Sequence, residues 1–280
     1  MIEPALSGDA FLDDVAQAPR ESSDDGFRLW WLGQSGFLVQ HAGRHLLFDP
    51  YLSDSLTRKY AGTDTPHVRM TERVVAPERL DFIDVATSTH NHTDHLDAHT
   101  LGPLLEANPD LTLVVPAANR AFAADRLDVV PDRLTGLTAG ASVETTGFRL
   151  HGVPAAHEAL ERDEEGRHTF MGYVAQFGPH TVYHSGDTVR FDGQVEALAP
   201  FDIDVALLPI NGRDHPAPGN LDGKAAAQLA KDIGAGLAVP CHFEMFEFNT
   251  APPDAFEAVA ERIGQPYRTL RAGERLTRVS

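Results

Sequence analysis

Short apolar runs separated by glycines and polar turns dominate the chain from residue 27 onward. The first three runs, residues 27–32, 37–40 and 45–48, are divided by Gly33 and Gly43, which predicts strands joined by tight turns. Further strands are predicted at residues 85–87, 111–115, 148–153, 171–177, 181–183, 205–208 and 237–239, and helices at residues 97–107, 117–126, 224–232 and 254–263. Strands and helices thus mix in both halves of the chain, which indicates an α/β fold with sheets sandwiched by helices.

Residues 1–26 are set apart from this pattern by the polar stretch at their end. Within them, Phe11, Leu12 and Val15 predict a short amphipathic helix. We expect residues 1–26 to form an N-terminal extension with flexibility at its polar end. Residues 27–280 are then expected to form one domain, and an apolar content of 42% is enough to build a sizeable core.

The chain is acidic, with 23 Lys and Arg against 41 Asp and Glu and a formal net charge of −18. Because this charge repels phosphate polymers, we expect no nucleic-acid partner. A small anionic substrate remains compatible with it, since bound metal cations can reverse the potential locally.

The expected location is the cytoplasm. Cys241 is the single cysteine, so the sequence offers no internal disulfide, as is usual in a reducing compartment. No apolar run approaches the about 20 residues of a membrane-spanning helix, and we therefore expect no membrane partner. The first residues also lack the basic and apolar regions of a secretory signal.

Four side chains of metal-binding type follow the apolar run at residues 84–89. They are His90, His92, Asp94 and His95. Side chains alternate along an extended segment, so His90 and His92 share one face, and the turn that follows directs Asp94 and His95 into nearly the same space. Imidazoles and carboxylates are ligands that suit Zn²⁺, Mn²⁺ or Fe²⁺. The cluster therefore predicts a metal site at the end of this strand.

Residues 90–95, with the sequence HNHTDH, resemble the signature of the metallo-β-lactamase superfamily. Further landmarks of this superfamily occur in the expected order, at Asp49, His157, Asp187 and His242. The resemblance implies an α/β fold, the αββα sandwich of the metallo-β-lactamase fold. It also implies a metal-dependent hydrolase that acts on a small-molecule substrate with a metal-bound hydroxide.

The resemblance further implies a centre of two divalent metal ions, with Zn²⁺ or Mn²⁺ favoured and Fe²⁺ an alternative. The implied ligands are His90, His92 and His157 for one ion, Asp94, His95 and His242 for the other, and Asp187 as the bridge between them. Asp49 resembles the carboxylate that orients a ligating imidazole. Asp94 is also the candidate catalytic residue, as the acceptor of a proton during hydrolysis.

Candidate contacts to the substrate lie in a loop after the predicted strand at residues 205–208. Asn211 begins this loop, which is rich in Gly and Pro, and Arg213 follows. Loops at strand ends are frequent places for binding sites. The guanidinium of Arg213 is suited to an anionic group such as a phosphate.

Three stretches narrow the comparison within the superfamily. Residues 29–37, 183–187 and 204–212 are similar to those of L-ascorbate-6-phosphate lactonases, which implies a lactonase-like activity on a small substrate that can be phosphorylated. Those enzymes carry an Asp-containing segment where this chain has residues 154–157, and two consecutive histidines where it has His242 and Phe243. They also form oligomers, so the same resemblance implies a homo-oligomer.

Other functions stay open at this point. Residues 90–95 and the stretch at residues 30–33 also resemble N-acyl-phosphatidylethanolamine phospholipase D, which implies a phosphodiesterase as the alternative. An iron oxidoreductase is a further alternative, although di-iron relatives carry Glu at the position of His92. A non-enzymatic metal-binding relative is the last, because a fold does not fix a function.

Overall fold

The computed structural model describes residues 1–18, 26–212 and 219–278. The helices within them are α1 (Gly8–Gln17), α2 (Ser55–Lys59), α3 (Ala98–Ala107), α4 (Arg120–Leu127), α5 (Gln194–Leu198), α6 (Gly223–Asp232) and α7 (Asp254–Ile263). The strands are β1 (Phe27–Gly33), β2 (Gly36–His41), β3 (Arg44–Phe48), β4 (Val85–Thr87), β5 (Thr112–Pro116), β6 (Leu134–Leu137), β7 (Ser142–Glu144), β8 (Arg149–Pro154), β9 (Met171–Phe177), β10 (His180–His184), β11 (Val205–Pro209), β12 (Leu237–Cys241) and β13 (Arg275–Arg278).

The strands form two mixed sheets. The first has the order β13-β1-β2-β3-β4-β5-β6, and the second has the order β12-β11-β10-β9-β8-β7. In the first sheet β3, β4, β5 and β6 run parallel, and in the second sheet β10, β11 and β12 do so. Helix α4 packs on β5 and β6, and helix α6 packs on β11 and β12. The predicted αββα sandwich is therefore confirmed.

The interior between the sheets is apolar and continuous. Strand β1 is buried along its whole length, as expected for a strand covered on both faces. The segment before it packs on this core: the ring of Phe11 in α1 is fully buried and meets Trp30 edge-on at 6.4 Å. The indole of Trp30 also donates a hydrogen bond of 2.8 Å to Asp14. Residues 1–18 thus add a helix to the outside of the first sheet.

The predicted helices agree with the structure over most of their length. Helix α7 has the predicted bounds, and the first residues of the predicted helix at 117–126 form a short 3₁₀ turn, Ala117–Asn119, before α4 begins. The longest described helices have ten residues. Since a bilayer requires about 20 residues of apolar helix, none of the described helices could cross a membrane.

The strands that the pattern missed are short and partly exposed. Strands β6, β7 and β13 have four, three and four residues, and each places polar side chains at the surface. A short, half-exposed strand has too few apolar positions for its period to stand out. Pairing with a neighbour defines such a strand, as when β13 adds to the edge of β1.

Candidate metal centre

The candidate ligands lie where strands of both sheets end. Asp49 follows β3, His90 follows β4, His157 follows β8, Asp187 follows β10 and His242 follows β12. Parallel strands bring their carboxyl ends to one edge of a sheet, and the two sheets face each other across the core. Residues that are far apart in sequence are therefore brought to one end of the sandwich.

Two of these turns adopt a backbone conformation that non-glycine residues rarely take. Asp49 has a φ of 35° and His242 a φ of 59°, both in the left-handed region. The backbone N–H of His242 donates to the carbonyl of Gln34 at 2.9 Å, which secures the second turn. Unfavourable backbone conformations persist where surrounding contacts impose them, and they are frequent at functional sites.

One group of ligand atoms meets around the carboxylate of Asp187. Its Oδ2 lies 3.3 Å from Nε2 of His95 and 3.4 Å from Nε2 of His242. The carboxylate of Asp94 joins them, with its Oδ2 at 3.6 Å from Nε2 of His95 and 3.4 Å from Nε2 of His242. Asp94, His95 and His242 thus present ligand atoms that all lie within 4.8 Å of one another.

A second group lies beside the first. Nε2 of His90 is 3.0 Å from Nδ1 of His92 and 4.0 Å from Oδ2 of Asp187. The ring of His157 lies 4.8 Å from that of His92 and 6.1 Å from that of His90, measured between ring centres. The seven residues that the sequence singles out as ligands therefore gather in two adjoining sets with Asp187 between them.

Asp49 contacts this centre through His95, on the side of the ring that faces away from Asp187 and Asp94. Its Oδ2 lies 2.7 Å from Nδ1 of His95, which directs Nε2 of that ring toward Asp187 and Asp94. The carboxylate is fully buried, and it accepts hydrogen bonds from the hydroxyls of Thr87 and Thr89. An imidazole held in this way keeps one orientation and one tautomer, and its free nitrogen becomes more basic.

In this centre the carboxylates and the imidazoles offset the effect of burial on each other's pKa. Burial by itself lowers the pKa of His242, but the carboxylates of Asp187 and Asp94 outweigh that effect and raise the pKa to about 9. The same balance raises the pKa of His95 well above its usual range. Burial would raise the pKa of Asp94 and of Asp187, but His95 and His242 hold both pKa values below their usual range.

The donor set fits divalent cations. Oδ1 of Asp187 is buried without a hydrogen-bond partner among the described residues, and Nε2 of His95 makes no well-aligned hydrogen bond there. Buried polar atoms without partners are costly, and a cation at this point would satisfy both. Imidazole nitrogens and carboxylate oxygens are the ligands that Zn²⁺, Mn²⁺ and Fe²⁺ take in proteins.

Gln34 is a residue of this centre that the sequence did not single out. Its side chain is fully buried in the turn between β1 and β2, where its amide donates to Oδ2 of Asp94 at 2.7 Å. The same nitrogen is 3.2 Å from Nε2 of His242, and Oε1 has no partner among the described residues. The sequence shows only a glutamine between two apolar strands. A glutamine at such a position is also typical of an exposed turn, so the pattern does not indicate a functional residue.

Asn220 is a second such residue. Its amide donates to Oδ2 of Asp187 at 3.1 Å and to the side-chain oxygen of Asn211 at 3.0 Å. Asn211, a predicted substrate contact, donates in turn to Asn249 at 3.0 Å and lines the cleft above the centre. Arg213, the other predicted contact, lies outside the described residues.

The centre opens into a cleft with a volume of about 660 Å³. Such a volume is typical of sites for small molecules. His92, Asp94, His157, Asp187 and His242 line its inner end. These five candidate metal ligands are therefore accessible to a small molecule that enters the cleft from solvent.

Comparison with known sequences identifies the family to which the chain is similar. The profile of the Beta-lactamase superfamily domain matches residues 44–243. A UPF0173 metal-dependent hydrolase from Opitutus terrae is 30% identical over 252 residues, which cover 88% of this chain and 98% of that protein. Another UPF0173 metal-dependent hydrolase, from Thermoplasma acidophilum, is 28% identical and covers 86% of this chain and 93% of its own length.

Solved structures agree in fold. Igni18, a metallo hydrolase from Ignicoccus hospitalis, has a TM-score of 0.67 at 20% identity and covers 91% of this chain and 99% of its own. An isothiocyanate hydrolase from Delia radicum gut bacteria has a TM-score of 0.70 at 20% identity, covering 89% of this chain and 98% of its own. With the profile match over most of its length, the chain belongs to the metallo-β-lactamase superfamily and to its metal-dependent hydrolases.

Proposed function

We propose that this protein hydrolyses the ester or lactone bond of a small molecule at a centre of two divalent cations. The observation that carries the proposal is a cluster at the inner end of an open cleft, in which the carboxylates of Asp94 and Asp187 each lie 3.3–3.6 Å from Nε2 of both His95 and His242. The similarity to metal-dependent hydrolases supports the reaction class.

The two sets of side chains would hold one cation each. The proposed ligands are His90, His92 and His157 for the first, Asp94, His95 and His242 for the second, and Asp187 for both. Zn²⁺ and Mn²⁺ suit this donor set best, and Fe²⁺ is compatible with it. When bound, such cations supply Lewis acidity and activate water for attack on a carbonyl carbon or a phosphorus.

Asp94 is the proposed proton acceptor. Its carboxylate lines the cleft and is held by the amide of Gln34 at 2.7 Å. Because His95 and His242 keep its pKa below the usual range, Asp94 is ionised at neutral pH. An ionised carboxylate in a fixed orientation can accept a proton from the attacking water and later return it to the leaving oxygen.

The size of the cleft favours a small substrate. A volume of about 660 Å³ accommodates a molecule of drug size, and the described residues that line the cleft combine rings, amides and the cations of Lys59 and Arg126. This mixture is compatible with a lactone or ester that carries an anionic group.

Metal content and a panel of substrates test the proposal together. The purified protein is freed of metal and reloaded with Zn²⁺, Mn²⁺ or Fe²⁺, its metal content is measured, and lactones, carboxylic esters, thioesters and phosphodiesters are then assayed. We expect two metal ions per chain and turnover of lactones or esters that depends on the metal. Turnover of phosphodiesters alone would replace this bond type with the alternative, and a protein that binds two ions without any turnover would favour a non-enzymatic role.

A further inference from the structure

Aromatic rings cover the outer part of the cleft. Tyr60, His67, Phe246 and Phe248 all line it, and we call these four residues the aromatic wall. Tyr60 and His67 stack with ring centres 4.1 Å apart at an angle of 15°. His67 also contacts Phe248 at 4.3 Å and Phe246 at 5.0 Å, so the four rings form one continuous surface.

Phe246 belongs to a small apolar cluster and is buried, whereas the other three rings of the wall stay partly exposed. Phe248 remains 37% exposed, and Tyr60 is half-buried. Phe122 in helix α4 also lines the cleft, is 45% exposed and packs against the guanidinium of Arg126 at 4.4 Å. Exposed rings gain free energy when a ligand covers them, and here they lie in the same cleft as the metal centre.

The charges around the wall favour a ring without positive charge as the ligand. Among the described residues that line the cleft, Asp94 and Asp187 are the carboxylates, and both belong to the metal centre. The ammonium group of Lys59 lies 5.2 Å from the ring centre of Tyr60, so a positive charge already occupies this side. Burial lowers the pKa of His67, which leaves its ring neutral at neutral pH and suited to stacking.

We propose that the substrate carries a flat aromatic ring next to the bond that is cleaved, and that this ring lies against Tyr60, His67 and Phe248. The inference names a substrate class for the centre and rests on the proposed function for the identity of that bond. The ring recognition itself follows from the aromatic wall and can be measured without turnover.

Three lactones with the same reacting group test the inference. They are γ-phenyl-γ-butyrolactone, γ-cyclohexyl-γ-butyrolactone and γ-valerolactone, which differ only in a flat ring, a puckered ring or a methyl group. We expect kcat/KM of the metal-loaded protein to be about ten-fold higher for the phenyl compound than for the cyclohexyl compound, because stacking adds to apolar burial. Equal values for the two rings would overturn the inference.

Substitution of the wall locates the effect. Phe248→Leu retains an apolar side chain but removes the flat face, and Phe248→Ala removes both. We expect the phenyl-to-cyclohexyl ratio to fall toward one in both variants, while their metal content stays at the wild-type value. Val130→Ala, which changes a residue that is 70% exposed and does not line the cleft, is the matched control and should keep the wild-type ratio.

A binding measurement separates this inference from the proposed function. Saturation-transfer NMR compares 3-phenylpropanoate with 3-cyclohexylpropanoate on the metal-loaded protein and on Phe248→Leu. Preferred binding of the phenyl acid that is lost in the variant supports the inference. This holds even if no lactone is hydrolysed, because absent hydrolysis would contradict only the ester or lactone assignment. Hydrolysis of all three lactones without any ring preference would end the inference and retain the assignment.

Discussion

The inner end of the cleft and its aromatic wall are built by opposite means. The inner end consists of buried charged groups at strand ends, where Asp49, His95 and Asp187 are connected by contacts of 2.7 and 3.3 Å. The wall consists of rings from two loops that ring packing holds together, and all of them except Phe246 are partly exposed. Buried charged residues tolerate few substitutions because each needs its partner, whereas an aromatic residue in a loop can be substituted without a change at its neighbours. The inner end would therefore determine the reaction, and the wall would determine its substrate.

The loop after β12 joins these two regions. His242 at its start belongs to the metal centre, and Phe246 lies four residues later in the wall. Substitutions in the metal centre and in the wall can therefore be compared within this one loop. The predictions that follow test how far the two regions are independent.

The largest effect is expected from Asp187→Asn, which preserves the shape of the side chain and removes its charge. Asp187 faces His90, His95 and His242 at 3.3–4.0 Å, so its loss removes the common partner of both sets. We expect turnover to fall by more than about 100-fold, beyond the 10–100-fold typical of residues behind a ligand. The measurements are metal content and kcat, with Asp110→Asn on the surface as the control. Wild-type metal content and kcat in Asp187→Asn would remove Asp187 from the centre.

The next effect concerns the metal-free protein and pH. A histidine whose pKa is raised on folding stabilises the folded state below its unfolded pKa near 6.5, and this stabilisation is lost as pH rises through the folded value. For His242 that value is about 9. We therefore expect urea unfolding of the metal-free protein to show a lower free energy of unfolding at pH 9 than at pH 7.

Metal binding should remove this trend, because an imidazole that binds a cation is already deprotonated. The same unfolding experiment with saturating Zn²⁺ should thus show no loss of stability over this range. A metal-free protein that is equally stable at pH 7 and pH 9 would contradict the compensation between His242 and the two carboxylates.

A smaller effect is expected from Gln34→Ala. The amide of Gln34 holds Asp94 at 2.7 Å without being one of the proposed ligands, so its loss should loosen the proton acceptor. We expect about ten-fold weaker metal binding and a lower kcat with little change in KM, as is usual for groups that orient a ligand. Titration with Zn²⁺ and steady-state kinetics measure both. Gln40→Ala, which removes another buried glutamine away from the cleft, separates this effect from general destabilisation.

The smallest effect on the centre is expected from the wall itself. Tyr60→Leu removes the stack with His67 and keeps an apolar side chain. We expect unchanged metal content and a change in free energy of unfolding below about 1 kcal/mol, because the residue is half-buried and packs against a small apolar cluster outside the main core, where leucine can replace it. Metal analysis and urea unfolding check this. Loss of metal in this variant would show that the two regions are coupled.

Much of the fold follows from local pattern, and the exceptions have a physical cause. Helix α7 was predicted because its apolar positions repeat with the helical period, and strands such as β9 and β11 were predicted because they are short, nearly continuous apolar runs. Strands β6, β7 and β13 were missed because they are short and depend on a neighbouring strand for their hydrogen bonds. The predicted ligand set at residues 90–95 rests on a local motif, and its contacts with distant residues could be described only in three dimensions.

The sequence by itself determined the types of chemical group, their order along the chain and their positions after strands. It could not determine that Gln34 meets Asp94, 60 residues away, and His242, 208 residues away. Nor could it bring Tyr60 and His67 beside Phe248 to form the aromatic wall. Local pattern reports which residues seek burial or a turn, whereas contacts over such distances depend on the pairing and stacking of whole sheets. The tertiary structure alone therefore decided which groups share one cleft.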